Sequence, residues 1–314
     1  MSAPKFFRKM AILAVIEATV GTLAMVTSAN AIEVSDVTVT PIEGDEVDQG
    51  VIRPYFGASP TTLVTEYRKV AFSVGYAGVG VAGTLPGYTP LLRGCAAKAT
   101  NTPAPDPDPH TLFEPVTDAI ESLSIYITID RRVYKMAGVR GNGKLVCDAK
   151  GIPKLQFDFT GSFIPVEDVG TMPAVDYAKF MRPLGVNKLN TTLEIDSFAA
   201  AASSFQLDLG NQVVKQDLMN VDTTEITGRS STGSVTFRDT DVATKNWIEM
   251  ARTSAVVPIE LVHGQAATNT VTLTVPRAQV GKPTFSEVDG IHMITVPFRC
   301  LPSNAGNDEW ALRV

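Results

Sequence analysis

Gly138, four intervening residues and then Gly143-Lys144 match the spacing of a phosphate-binding loop, where backbone N–H groups cradle phosphate and a lysine reaches over it. The hydroxyl that should follow, to hold magnesium, is replaced by Leu145. Such a loop also opens a helix, whereas the residues after Gly143 read as strand and turn up to Gly151. A β-hairpin accounts for these glycines better than a nucleotide does. The three histidines, His110, His263 and His292, lie far apart and offer no metal-ligand spacing. No Gly-x-Ser-x-Gly elbow is present. The acidic run Glu43-Gly44-Asp45-Glu46-Val47-Asp48 lacks the spacing and flanking helices of a calcium loop, so it reads as a solvated or interface loop. Trp247 reads as core packing. These residues point to no catalytic centre, no cofactor and no metal.

The elements that surround them are those of a β protein. Gly (24) and Pro (20) are spread along the 314 residues among many Thr and Val, which suits short strands and turns. A chain of this length has room for two domains. Cys95, Cys147 and Cys300 cannot all pair, and none sits in a Cys-x-x-Cys unit, so a reducing compartment is expected. The net charge of −6 opposes wrapping nucleic acid, which needs clustered Lys and Arg. It does not oppose nucleic acid sliding past.

The N-terminus imitates a secretory signal: Lys5, Arg8 and Lys9, an apolar run from Met10 to Val26, then Ala29-Asn30-Ala31. Glu17, Thr19 and Gly21 interrupt that run, which is too broken for a membrane span. We read residues 1–34 as a retained arm that packs on its own or a neighbouring subunit.

An internal duplication follows. Alternating strands Ser35–Thr40 and Val70–Val74 flank a long polar excursion, and a helical segment, Tyr88–Ala96, comes next. The same order returns as Ser204–Leu209, a polar excursion, Ser234–Arg238 and the helical Ala243–Ala251. Gly143-Lys144 with Gly151-Ile152 leads into Leu155–Phe159, and Gly281-Lys282 with Gly290-Ile291 leads into Ile294–Phe298. Each of these reads as a hairpin turn plus its strand. The stretch Asn101–His110, rich in Pro and Asp, reads as a surface loop inserted in the first copy. The expected divisions are an arm over 1–34, a first domain over 35–165, a linker over 166–190 and a second domain over 191–314.

Several segments resemble the major tail tube proteins of long-tailed, siphovirus-type bacteriophages. They are Phe7–Ala14, Asn30–Val37, Glu43–Glu46, Gly151-Ile152-Pro153, Ser204–Val214 and Leu301-Pro302-Ser303. The resemblance implies a mainly β fold, with two tandem tail-tube-like β-sandwich or barrel domains, each with a short flanking helix. It also implies a structural virion protein that polymerises into stacked rings, assembled in the host cytoplasm, through which DNA is ejected. Two units per chain then imply three chains per pseudo-sixfold ring. Implied partners are the protein itself, the tail tip, tape measure and tail terminator proteins, and double-stranded DNA in unspecific passage, with no membrane. In this family the long loop after the first strand reaches an adjacent subunit or ring. Here that loop is Pro41–Glu66, with Glu43, Asp45, Glu46, Asp48, Arg53 and Tyr55. Its repeat is Gly210–Arg229, with Asn211, Gln212, Lys215 and Asp217.

Alternation gives a lumen-facing side. If Val37, Val39, Phe72, Phe157 and Phe159 are buried, then Asp36, Thr38, Ser73, Gln156, Asp158 and Thr160 point the other way. Their counterparts are Gln206, Asp208, Ser234, Thr236 and Thr295. This is a polar, acid-leaning wall that repels phosphate, although Lys69, Arg238 and Arg299 share its parity. A secreted β-sandwich adhesin or periplasmic binding module is the rival reading, carried by the signal-like N-terminus. An enzyme on a β scaffold rests only on the incomplete phosphate loop, and a secretion-system tube protein would share the fold.

Overall fold

A computed structural model describes residues 4–265 and 269–314 of the chain. The first three residues of the expected arm lie outside this range. Among the described residues the chain is mainly β, with two short α-helices and one 3-10 turn at Ser28–Asn30.

The first half opens with β1 (Met10–Ile16), β2 (Ala31–Ile32) and β3 (Ser35–Glu43). A small hairpin, β4 (Glu46–Asp48) and β5 (Thr61–Leu63), precedes β6 (Tyr67–Gly75) and α1 (Thr89–Gly94). Then come the hairpin β7 (Ala97–Thr102) and β8 (His110–Pro115), followed by β9 (Leu123–Ile129), β10 (Arg132–Asp148) and β11 (Lys154–Asp168). The second half begins with β12 (Thr191–Ile195), β13 (Phe198–Ala199) and β14 (Ala202–Asp208). A larger hairpin, β15 (Asn211–Leu218) and β16 (Val221–Arg229), leads to β17 (Thr232–Arg238) and α2 (Trp247–Arg252). It ends with β18 (Val256–His263), β19 (Val271–Val280), β20 (Thr284–Val288), β21 (Ile291–Cys300) and the terminal β22 (Ala311–Arg313).

The pairings repeat with the order. In the first half β1 pairs with β9, β9 with β10, β10 with β11, β11 with β6, and β6 with β3. In the second, β12 pairs with β18, β18 with β19, β19 and β20 with β21, β21 with β17, and β17 with β14. β10 is therefore one strand doing what β19 and β20 do together. The break between them is Gly281-Lys282-Pro283, where proline has no N–H for a ladder. β1 holds the place of β12, so Met10–Ile16, expected in a packing arm, is a sheet strand with Ala11 to Ala14 buried.

One pairing joins the halves: Lys144 to Asp148 of β10 lie against Asp208 to Ser204 of β14. The result is a continuous antiparallel sheet in the order β3-β6-β11-β10-β14-β17-β21-β20, four strands from each half. A second bridge runs through the outer layer, where β22 pairs with both β19 and β8. The pairings branch but never return on themselves, so among the described residues the layers are open and no barrel closes.

Local chemistry fixes the turns. Asp130-Arg131 and Asp289-Gly290 both have positive φ at both positions (36° and 71°, 52° and 76°), the conformation that suits the twist of a two-residue hairpin. Pro90 stands in the first turn of α1, where a missing N–H is harmless, and Asn246 caps α2 by accepting the Glu249 N–H at 3.0 Å. Phe72, Phe157 and Phe159 form one aromatic cluster beneath the first half of the sheet. Phe198, Phe237 and Trp247 form the other, with Trp247 edge-on to Phe237 at 4.9 Å.

Two expectations are corrected. Gly143-Lys144 is not a turn but the middle of β10, and the turn of that hairpin lies between Asp148 and Lys154. The fold selects Gly143 for space: a Cβ there would meet Leu209 at 3.1 Å and Phe157 at 3.3 Å. The inserted stretch Asn101–His110 is a loop only at its centre, since Asn101-Thr102 ends β7 and His110 begins β8.

Candidate functional site

The continuous sheet has two faces of opposite character. Val70, Phe72, Leu155, Phe157, Phe159, Leu145, Phe205, Leu207, Val235 and Val296 are buried on one of them. The alternate residues form a polar face across both halves. The register places Ser73, Gln156, Lys144, Asp208 and Thr232 in one row, and Lys154, Val146, Gln206 and Ser234 in the next. Thr38 and Asp158 flank Ala71, and Thr236 pairs with Thr295, their hydroxyls 2.9 Å apart. The residues singled out by alternation, Asp36 and Thr160 among them, therefore share one side of one sheet.

Details differ from simple parity. Ser73 is buried rather than open. Asp36 sits in a bulge of β3 with φ 53°, and its carboxylate accepts a hydrogen bond from Lys154 Nζ at 2.6 Å. That bond holds the Asp36 carboxyl below its ordinary range. Glu43 is held down in the same way by Lys69 at 2.8 Å, with the Tyr67 hydroxyl donating as well. The face is also not acid-leaning. Asp36, Glu43, Asp148, Asp158 and Asp208 share it with Lys69, Lys144, Lys154, Arg238 and Arg299, so the charges balance. Parity found the bases on β6, β17 and β21. It missed Lys144, placed by the Gly-Lys reading in a turn, and Lys154, one residue before the expected strand Leu155–Phe159.

The seam between the halves is locked at one end by amides. Asn142 Nδ2 donates to Asp208 at 2.7 Å, while its Oδ1 accepts the Asn211 N–H at 3.0 Å. Asn211 Nδ2 in turn donates to the carbonyls of Cys95 and Gly141. Beyond this lock, β15–β16 lies on β10 and β11 of the other half. Arg140, nearly buried, donates to the carbonyls of Thr224 (2.7 Å) and Ile120 (2.9 Å) and pairs with the Glu225 carboxylate. Lys215 pairs with Asp222, and both bond to Ser162. Asn211 and Lys215, expected in a loop reaching another subunit, thus make their contacts between the two halves of one chain. Gln212 and Asp217 remain exposed.

The equivalent hairpin β4–β5 has no such bed. Glu46 and Asp48 lie in its exposed first strand, and the Asp45 N–H bonds only to Thr65 Oγ1 nearby. Val51, Ile52, Tyr55 and Phe56 are exposed, with the Arg53 guanidinium 6.0 Å from the Tyr55 ring. The two outermost strands of the sheet, β3 and β20, each have one edge with no partner among the described residues, and every residue of β20 is exposed.

Sequence reasoning missed the buried charges. Glu17, seen only as a flaw in an apolar run, accepts hydrogen bonds from Ser122 Oγ (2.6 Å), Ser124 Oγ (2.7 Å) and the N–H groups of Gly21 and Gly138. Arg68 is buried between the Tyr134 and Phe163 rings and donates to the Pro41 and Lys135 carbonyls. A charge inside an apolar run was the available signal for Glu17. None existed for Arg68. His263 is buried beside Thr191, and burial lowers its pKa. No group of His, Cys, Asp and Glu with the geometry to hold a metal occurs among the described residues. No helix among them is long and apolar enough to cross a membrane.

Comparison with known proteins gives one result that spans the chain: the family model described as phage tail tube protein matches residues 8–300. No curated protein matches.

Proposed function

The chain belongs to the phage tail tube protein family, a family of structural virion components and not of enzymes, and from that premise we propose that three copies close each ring of the tube through the free edges of β3 and β20. The observation that carries this is the β10–β14 pairing. β20 is the second-half counterpart of the lower part of β10, and β3 is the first-half counterpart of β14. The contact made once inside the chain is therefore repeated between chains, β20 of one against β3 of the next. Each chain then contributes two tube units, one from β1 to β11 and one from β12 to β21. Three such chains give a pseudo-sixfold ring with no open edge, which also removes a template for uncontrolled strand addition.

The same logic assigns the hairpin β4–β5. β15–β16 follows β14 and lies on the strands beside it, so β4–β5 follows β3 and lies on β20–β21 of the adjacent chain. That covers Val51, Ile52, Tyr55 and Phe56. The polar face of the sheet lines the lumen. With acids and bases balanced on it, passing DNA meets neither a field that repels it strongly nor a basic stripe that holds it. The tail tip, tape measure and terminator proteins complete the assembly at the ends and core of the tube.

Native mass measurement of isolated rings should give three chains. Rings of six would sink the closure proposed here. For the lumen, Asp158 is the clean probe, because Asp36 and Asp208 also hold Lys154 and Asn142. Asp158→Asn should leave rings and tubes intact and change the rate of DNA ejection; an unchanged rate removes Asp158 from the wall that DNA meets.

A further inference from the structure

One hairpin has no counterpart in the repeat. Between α1 and β9 the first half carries β7–β8, whereas only Thr253, Ser254 and Ala255 separate α2 from β18. β8 is the strand through which the outer layers meet, because β22 pairs with β8 along one edge and with β19 along the other. In the first half the matching stretch of β10, Arg132 to Ala137, is paired by β11 itself, from Asp168 to Ser162. That stretch of β11 finds no equivalent of β8 among the described residues of the second half. In a ring of three chains, an outer-layer bridge therefore stands at the seam within each chain and is missing at the seam between chains.

The bridge is more than a pair of strands. Asn307 Oδ1 accepts the Thr117 hydroxyl at 2.7 Å, and Thr111 exchanges backbone hydrogen bonds with Val314 at 2.8 and 2.9 Å. Arg229 of β16 donates to Glu309 at 2.9 Å and to the Val116 carbonyl at 2.9 Å, and Arg313 pairs with Asp108. Trp310 is buried where the halves meet. Tyr76 and Leu145 from the first half, with Leu207, Leu209 and Leu273 from the second, leave a cavity of only about 20 Å³ beside it.

We propose that β7–β8 and β22 form a clasp that commits the β10 edge to the β14 of its own chain. The repeat makes β3 equivalent to β14, and in the ring reading, on which this proposal rests, β3 is the edge offered to other chains. With the Lys144–Asp148 ladder as its one contact, β10 can take β3 of another chain in place of its own β14. The clasp supplies a second contact in the other layer. Opening the ladder alone then does not release the halves, and the ladder re-forms as an intramolecular event at high effective concentration. β20, at the seam without a clasp, stays open to the β3 of any chain.

The test reads hydrogen exchange at the seam amides, Lys144–Asp148 and Ser204–Asp208, on unassembled full chains. Trp310→Ala empties the junction and should speed that exchange at least about tenfold while β1 and β9 keep their protection. The same variant should yield linked chains in a native mass measurement. Trp310→Phe keeps the packing and should match the unaltered protein. Leu112 and Arg313 oppose each other across β8 and β22, so Leu112→Cys with Arg313→Cys can be bridged there. Cys95, Cys147 and Cys300 are all buried and leave the new pair to form alone. The oxidised form should exchange more slowly at the seam than the reduced form and remain a single chain. A seam that keeps its protection when Trp310→Ala frees the amides of β22 overturns the clasp. If Trp310→Ala loosens every strand alike, the bridged variant decides, and equal seam exchange in its oxidised and reduced forms overturns the clasp. None of these measurements depends on ring number, so six chains per ring would be a failure of the ring reading, told apart from a failure of the clasp.

Discussion

At the scale of residues, Glu17 shows how the fold meets a buried charge. Glu17 collects four donors in a buried site, and removing it leaves two hydroxyls and two N–H groups without an acceptor. An unsatisfied buried donor costs about 1–3 kcal/mol, so Glu17→Ala should destabilise the fold by at least about 3 kcal/mol. Chemical denaturation reads this directly, and an unchanged midpoint would show that water satisfies the site. Asp168 behaves differently because it is at the surface. Hydrogen bonds from Arg132 and Lys5 hold its carboxyl at about 2, below the ordinary 3.8. A folded-state value below the unfolded one means the contribution is complete above the ordinary carboxylate range and is lost as pH falls toward 2. An NMR titration should find the Asp168 midpoint near 2, and Arg132→Gln should raise it; a midpoint at the ordinary value would mean the pair is not formed in solution.

At the scale of elements, what was legible followed one rule. Strands with one buried and one open face, β3, β6, β11, β14, β17 and β21, announce themselves by alternation, and the repeat was visible because both copies keep it. The unread strands broke the rule for physical reasons. β9 is buried at nearly every position, so Leu123–Ile129 shows no alternation. β1 hides in a run that looks like a secretory signal. β4, β5 and β15 are largely exposed on both faces, so their residues read as polar loop. The Gly-Lys dipeptides misled because glycine serves space as well as turns: Gly143 admits Leu209 and Phe157, while the turn is made elsewhere. That the alternate residues share one face of the sheet was legible through parity alone, but the burial of Ser73 was not. The element most open to test is β20. Charged side chains along an edge oppose strand addition, and β20 is exposed throughout. Thr284→Lys with Ser286→Lys should therefore leave the monomer's stability within about 0.5 kcal/mol, the usual range for surface changes, and prevent ring formation. Rings that form normally would place the closing contact elsewhere.

At the scale of the whole molecule, the ring closure proposed above makes half of the ring contacts intramolecular, because the β10–β14 pairing lies within one chain. The seam at β10–β14 forms with folding and needs no encounter between chains, so in the proposed ring only every second seam depends on concentration. Duplication also lets the two hairpins diverge. β15–β16 is bound to its bed by Arg140, Lys215 and Asn211, whereas the loop of β4–β5 leaves Val51, Ile52, Tyr55 and Phe56 exposed. The most direct test is a cryo-electron microscopy reconstruction of tubes assembled from the full chain. The account predicts three chains in each ring, with β20 of one paired antiparallel to β3 of the next and the polar face turned to the lumen. Six chains per ring, or β3 and β20 left unpaired at the ring wall, would contradict it.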